Sequence, residues 1–298
     1  MNMSARAKYS LLLADCWNLT KPRVIGMVLV TTVTGFLVAN GGFQWSDGWK
    51  LLLTLLGTGL AGGGSTALNN YLERDLDALM KRTQMRALAA GRLDPSVALS
   101  LGILLVVSGV ALLAFAINLL SAFLVLLTAF IYVLIYTPLK RITWLNTSIG
   151  AITGALPIMV GWTAVRNDVA AGSWVLFGIL YLWQHPHVFA VTWMYREDYS
   201  RAGYKMLSVI DPTGRRAFHQ AILFSLALIP VSIALTALGL AGMIYLIGAI
   251  LLGAALLTVS LTLAQYRTIE AARRVLYMSL IYLPLLLLLI ILDAGVLR

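Results

Sequence analysis

The stretch NNYLERDLDALMKRT, Asn69 to Thr83, closes the long apolar run Trp49–Asn69 and is the sharpest break in the chain. An apolar run of about 20 residues is the length of a membrane-spanning helix. This one passes straight into an acidic and then a basic cluster, so it reads as a spanning helix with a chemically equipped end. Asn69, Glu73 and Asp77 stand four apart. On a helix such residues stack on one face, drifting about 40° per step. They form a column of hard oxygen ligands, with Lys81 and Arg82 one turn beyond. Carboxylates beside cations suit a Mg²⁺–diphosphate, because Mg²⁺ takes one or two carboxylates and completes its shell with phosphate oxygens and water. A solvated loop between two membrane helices would explain the charges but not their register.

The rest of the chain fits this reading. Of 298 residues, 60% are hydrophobic and 11% are charged, against about 25% charged in a soluble domain. The polar surface is too small to cover a water-soluble globule. The fold class is therefore an all-α polytopic membrane bundle, one domain over 1–298 with residues 1–21 as a cytoplasmic N-terminal segment. Nine apolar stretches are expected to span: Val24–Ala39, Trp49–Asn69, Val97–Ile117, Leu119–Tyr136, Leu145–Val165, Trp174–Tyr195, Phe218–Leu238, Ala241–Ala264 and Val275–Leu292. A tight turn at Asn118 separates the third from the fourth. No cleavable signal peptide is expected, because the apolar patch Leu11 to Leu13 is too short. Cys16 is alone, which excludes an intrachain disulfide and a thiolate metal cluster.

Orientation follows from the cations. With the N-terminus cytoplasmic, 19 of the 22 Lys and Arg fall on the inner side, and Lys50, Arg166 and Arg298 fall outside. The expected topology is N-in and C-out, with the Asn69 column on the cytoplasmic face. The net charge of +10 then orients the chain in a bilayer and is not a nucleic-acid footprint.

Three further segments carry candidate chemistry. The sixth span runs into Tyr195-Arg196-Glu197-Asp198, which repeats the Tyr71-Leu72-Glu73-Arg74-Asp75 pattern at the end of the second. Both helices run the same way, so two acid clusters could flank one diphosphate. After the fourth span, Pro138 ends the helix and Lys140 and Arg141 follow as a phosphate clamp or as ordinary inner-side anchors. The sixth span also holds Gln184-His185-Pro186-His187 in mid-membrane. Ionisable groups at that depth are functional candidates, or they satisfy a carbonyl that Pro186 frees. Being two apart, the histidines point about 200° from each other on an ideal helix. One is expected to contact a ligand and the other to pack.

These residues resemble the UbiA superfamily of intramembrane prenyltransferases, and within it the protohaem IX farnesyltransferases. The likeness rests on Asn69 to Thr83, Leu19 to Val24, Tyr136 to Arg141, Asn146 to Trp162 and WQHPHVFAVTWMYREDYSRAGYKML, Trp183 to Leu207. It implies a nine-helix bundle with a central cavity open to the cytoplasm and laterally to lipid. It implies transfer of farnesyl from farnesyl diphosphate to the 2-vinyl group of haem B, with water added, and Mg²⁺ as cofactor. On this likeness Asn69, Glu73, Asp77, Glu197 and Asp198 are the expected catalytic residues, with Asn69, Glu73, Asp77 and Asp198 on the metal. Lys21, Arg23, Lys81, Arg82, Lys140, Arg141 and Arg196 would hold the diphosphate, and His185 or His187 the haem. The partners implied are haem B, farnesyl diphosphate, the lipid bilayer of the inner (plasma) membrane, and a haem O-using oxidase or haem A synthase downstream. Two departures stand out. Glu73 replaces the family's usual aspartate, and Tyr195 and Tyr199 occupy the places of the wider superfamily's second pair of aspartates. A prenyltransferase for a quinone precursor and a secondary transporter of an organic anion are the competing functions; the gathering of charge at one mouth disfavours the transporter.

Overall fold

The computed structural model describes the backbone of residues 5–295 and the side chains of residues 11–293. Arg298, expected outside the membrane, lies outside the described residues, as do the side chains of Arg6 and Lys8. The described residues are helices joined by turns: α1 (Ala5–Leu19), α2 (Pro22–Asn40), α3 (Gly48–Asp77), α4 (Pro95–Ala116), α5 (Leu119–Phe130), α6 (Thr137–Leu139), α7 (Asn146–Arg166), α8 (Ala171–Met194), α9 (Arg196–Arg201), α10 (Leu207–Ile210), α11 (Arg215–Ala237), α12 (Met243–Tyr266) and α13 (Ile269–Gly295).

Local signals set several boundaries. Asp94 caps α4 by accepting from the Ser96 amide, with Pro95 at the first helical position. Asn118 does the same for α5 through Ser121, and this makes the tight α4–α5 turn. Gly41 closes α2 in the left-handed region, φ 71°.

Among the described residues, eight segments are long and apolar enough to cross a membrane: Pro22–Asn40, Trp45–Asp77, Pro95–Ala116, Leu119–Leu139, Asn146–Arg166, Arg215–Ala237, Met243–Tyr266 and Ile269–Asp293. The expected count of nine is not reached, because α8 is not among them. Its 24 residues reach roughly 36 Å at 1.5 Å per residue, so length is not the obstacle. Gln184, His185 and His187 make its middle polar, and it packs against α7, α11 and α13.

With lipid as solvent, helices associate by close packing more than by hydrophobic exclusion. Glycine supplies that here. A methyl group on Gly35 of α2 would run into the Ile158 carbonyl of α7, and one on Gly161 into that of Thr32. The core centres on α7 and α8, where Ile158, Met159, Leu176, Ile179 and Leu180 are buried with Leu228 of α11 and Tyr282 of α13.

Two features position the site. Helix α3 has 30 residues, about 45 Å, against a hydrocarbon core of ~30 Å, so its last turns emerge from the apolar layer. Between α5 and α6 the chain winds as a single π-helical turn, Ile131–Tyr136, a form frequent at functional sites. It presents Tyr132 and Tyr136, stacked at 5.6 Å, toward the end of α3.

Candidate active site

The column on α3 forms as the spacing requires, and it is buried: Asn69, Glu73 and Asp77 are 1%, 4% and 1% exposed. A cation from a different segment meets each member. Lys21 Nζ donates to Asn69 Oδ1 at 2.8 Å. Lys140 Nζ donates to Glu73 Oε1 at 2.7 Å. Arg86 Nη1 donates to both Asp77 oxygens, at 2.9 and 2.7 Å. Asn69 Nδ2 in turn donates to the Thr137 hydroxyl at 3.0 Å. Buried carboxylates demand partners, and this demand brings the loop after α3 and the turn after α6 over one helix end, where Lys21 of the α1–α2 corner joins them through Asn69. Lys21 reaches its place in the left-handed region, φ 47°, a conformation that costs a non-glycine residue of order 1–3 kcal/mol and is kept where the surroundings fix it.

The column lines a polar pocket of about 90 Å³ with Lys21, Arg82, Arg86, Lys140, Tyr132, Tyr136, Tyr199 and Tyr204. Cations outnumber carboxylates in it. Burial, joined by the charges of Arg86 and Lys140, pushes the Lys21 ammonium down to about 7, against the pull of Glu73 and Asp77. Burial works against the charge of Lys140 too, but Tyr136 and Glu73 outweigh it and hold that ammonium well above the usual lysine value. On the far wall Arg82 Nη2 donates to the Tyr199 hydroxyl at 2.6 Å. Its guanidinium lies over the rings of Tyr199 and Tyr195, at 4.7 and 5.5 Å.

A second cavity, of about 250 Å³, lies deeper between α2, α3, α5, α7 and α8. Its wall is largely apolar, with Ile25, Val28, Ala61, Val125, Ala129, Pro157, Val160 and Val188. Tyr132 and Tyr136 line both spaces and form the junction between them.

Six expected site residues therefore meet in the pocket: Asn69, Glu73, Asp77, Lys21, Arg82 and Lys140. The others do not. Arg23, Lys81 and Arg141 are exposed and do not line it. Arg196 lies 4.4 Å over the Trp193 ring. Glu197 is exposed. Asp198 is buried but ion-paired with Arg201 at 3.0 Å, one turn along its own short helix. The second acidic wall is thus corrected to an aromatic one, because α8 stops at Met194 and the new helix α9 turns Tyr199, not Asp198, toward the column.

The histidines face away from the pocket and from each other. His185 is fully buried. Its Nδ1 faces the Tyr181 carbonyl at 2.8 Å and its Nε2 the Ser148 hydroxyl at 3.1 Å, and the ring stacks on Phe224 at 3.6 Å. The carbonyl requires Nδ1 to carry the proton, so Nε2 accepts from Ser148. His187 Nδ1 lies 2.8 Å from the Ser279 hydroxyl of α13, with Trp183 stacked beside it. Neither lines the two cavities; their neighbour Gln184 does.

Sequence reasoning passed over Arg86, Tyr132, Tyr199 and Tyr204 as pocket residues. Tyr132 and Tyr136, four apart beside Lys140, were a readable signal of one helical face. Arg86 was not readable, because its approach to Asp77 depends on the irregular loop between α3 and α4.

Known proteins share both the sequence and the fold. The UbiA prenyltransferase family model matches residues 28–283. The chain is 45% identical to the protoheme IX farnesyltransferase of Salinibacter ruber over 95% of this chain and 99% of that one. It is 42% identical to the enzyme of that name from Solibacter usitatus, over 94% and 98%. The chain belongs to the UbiA prenyltransferase family. The human mitochondrial protoheme IX farnesyltransferase is 39% identical over 92% of this chain and 61% of its own length. Among solved structures, digeranylgeranylglyceryl phosphate synthase superposes with a TM-score of 0.80 at 18% identity, over 95% of this chain and 98% of that one. A UbiA homologue from Archaeoglobus fulgidus, bound to DMAPP and Mg²⁺, gives 0.63 at 16% identity, over 93% and 99%. At those identities the likeness is one of fold: the UbiA helical membrane bundle, on which this chain places its own side chains.

Proposed function

We propose that this chain transfers the farnesyl group of farnesyl diphosphate to the 2-vinyl group of haem B, adding water and releasing diphosphate to give haem O. One observation carries the chemistry: a cation-rich polar pocket opens, past two tyrosines, into an apolar cavity. The pocket suits a diphosphate and the cavity a prenyl chain. The acceptor is supported by the names of the relatives.

The donor set fits Mg²⁺, because Asn69, Glu73 and Asp77 present hard oxygens from one helix face. When bound there, the ion would supply charge neutralisation to the leaving diphosphate. Lys140 and Arg86 pair with the two carboxylates and hold them in place. With Lys21 and Arg82 they surround the pocket with positive charge, which favours departure of the diphosphate as the allylic C1–O bond breaks. The rings of Tyr132 and Tyr136 at the junction stabilise the allylic cation through their faces. The apolar wall beyond them excludes bulk water until C1 bonds to the terminal vinyl carbon. The positive charge passes to the inner vinyl carbon, water adds there, and one proton leaves.

The cation count supports a cytoplasmic N-terminus and pocket with the C-terminus outside and α8 as the ninth span, and the family resemblance implies the inner (plasma) membrane. A haem O-using oxidase or haem A synthase would consume the product. The test is incubation of the purified protein with haem B, farnesyl diphosphate and Mg²⁺, followed by mass analysis of the porphyrin. A species heavier by farnesyl plus hydroxyl is expected. No adduct, with a quinone precursor prenylated instead, overturns the acceptor.

A further inference from the structure

The inner cavity ends at a polar mark. Thr58 lines it, is 3% exposed, and its hydroxyl makes no hydrogen bond among the described residues. Other lining hydroxyls are satisfied: Ser65 by Ala61, Thr66 by Leu19 and Gly63, Thr128 by Leu124 and Thr153 by Gly150, all backbone carbonyls, and Thr147 by the Asn146 side chain. Gln184 lines the cavity as well. Its Nε2 is fixed by the carbonyls of Ala151 and Leu180, both at 3.1 Å. Its Oε1 lies so close to Gly154 that any side chain at that position would collide with it.

Both residues sit at one depth. Thr58 is eleven residues before Asn69 on α3, and Gln184 is eleven before Tyr195 at the end of α8, which puts each roughly 16 Å from the mouth at 1.5 Å per residue. The two helices run the same way, since the Tyr199 hydroxyl beyond α8 meets Arg82 beyond α3. Val125 is likewise eleven residues before Tyr136 and lines the same level.

We propose that Thr58, with Gln184 and Val125, forms a floor that sets the length of the prenyl chain this site accepts. The inference rests on the proposed transfer of farnesyl. Three covalent backbone bonds of an extended chain span about 3.5 Å. Each isoprene unit adds four, so three units reach ~14 Å and four reach ~19 Å on that scale. A farnesyl chain stops short of the floor. A geranylgeranyl chain must press its end into the packed side chains of Thr58, Gln184 and Val125, and forcing extra methylenes against a close-packed wall is unfavourable.

The experiment compares geranyl, farnesyl and geranylgeranyl diphosphates, by haem adduct formation and by competition for binding to the purified full-length protein. The parent should prefer farnesyl over geranylgeranyl at least tenfold in kcat/KM and in competition. Thr58→Ala and Val125→Ala should each raise the geranylgeranyl-to-farnesyl ratio about tenfold or more. Val125→Phe should move the preference toward geranyl. A parent that transfers farnesyl but takes geranylgeranyl equally well overturns the floor. So does an unmoved ratio in both alanine variants that still transfer farnesyl. If one variant does not fold, the other and the parent competition decide. A parent that transfers no prenyl chain at all, yet ranks the diphosphates by length in competition, sinks the transfer reading and leaves the floor standing.

Discussion

The end of α3 and the middle of α8 carry the same kind of signal in the sequence, polar residues where a membrane helix should be apolar, yet the fold uses them differently. At the end of α3 two carboxylates and an amide line up, and each meets a cation from a separate segment. In the middle of α8 the groups are neutral-capable, and each is satisfied by a hydroxyl or a carbonyl on the nearest surface. A charge in a low-dielectric layer has to gather opposite charge. A histidine need only find one hydrogen bond and a flat neighbour. Charge therefore assembles a site from distant segments, whereas the histidines join helices locally.

The comparison is broken most directly at the column. Asp77→Asn and Glu73→Gln remove the charge but keep the shape. Turnover should fall by ~10²–10³, the cost of losing a main electrostatic stabiliser in other enzymes, with haem binding unchanged. Activity at the parent level in either variant, or with a chelator in excess, would take Mg²⁺ out of the proposed chemistry.

Next in size is the removal of a cation. Lys140→Met leaves Glu73, 4% exposed, with its charge uncompensated. Breaking a buried pair from one side costs about 3–5 kcal/mol, and the joint variant Lys140→Met with Glu73→Gln should recover part of it. The readout is thermal stability in detergent, single variants against double. A double variant no more stable than Lys140→Met alone would show that Lys140 is held by Tyr136, over whose ring it lies at 4.6 Å, and not by the carboxylate.

These outcomes bear on what the sequence revealed. The class of fold, the helix-by-helix order and the α3 column were legible, because they depend on hydropathy and on one helical period. Lys21 and Lys140 were legible as nearby cations. The replacement of Asp198 by Tyr199 at the far wall was not, since it follows from a break in the helix at Tyr195 that shifts the register of the next turn. The histidines were legible as a pair pointing apart. Their partners, Ser148 on α7 and Ser279 on α13, depend on which helices pack beside α8. No local pattern reports that. The expected count of nine rested on apolar length alone, and α8 falls short because Gln184, His185 and His187 stand in its middle, satisfied by neighbours that the sequence does not name.

The histidines come third. His185→Ala and His187→Ala should each lower stability by ~1–3 kcal/mol, the cost of an unpaired buried group, with His185 the larger because both its ring nitrogens have partners whereas His187 bonds through Nδ1. Haem titration should give the parent spectrum in both. Loss of the bound-haem spectrum in one variant, with farnesyl diphosphate affinity intact, would restore that histidine to the haem and end the contrast drawn with the column.

The smallest effects belong to the cations that the fold leaves outside. Arg23, Lys81 and Arg141 are exposed and line neither cavity. They carry the same charge as Lys21 and Lys140, so composition alone cannot separate the two groups; position does. An exposed charge interacts through water and salt and is worth ~0.2–1 kcal/mol even with a partner in place. Alanine at any of the three should change KM for farnesyl diphosphate by less than about fivefold and leave kcat alone. The residual effect should vanish as ionic strength rises and the Debye length contracts to ~3 Å at 1 M salt. Lys140→Met, whose cation is 12% exposed and in direct contact with Glu73, should keep its defect under the same salt. If Lys81→Ala or Arg141→Ala behaves like Lys140→Met, the loop that carries it closes over the diphosphate in the working enzyme, and the boundary between inside and outside cations would have to be moved outward by one turn.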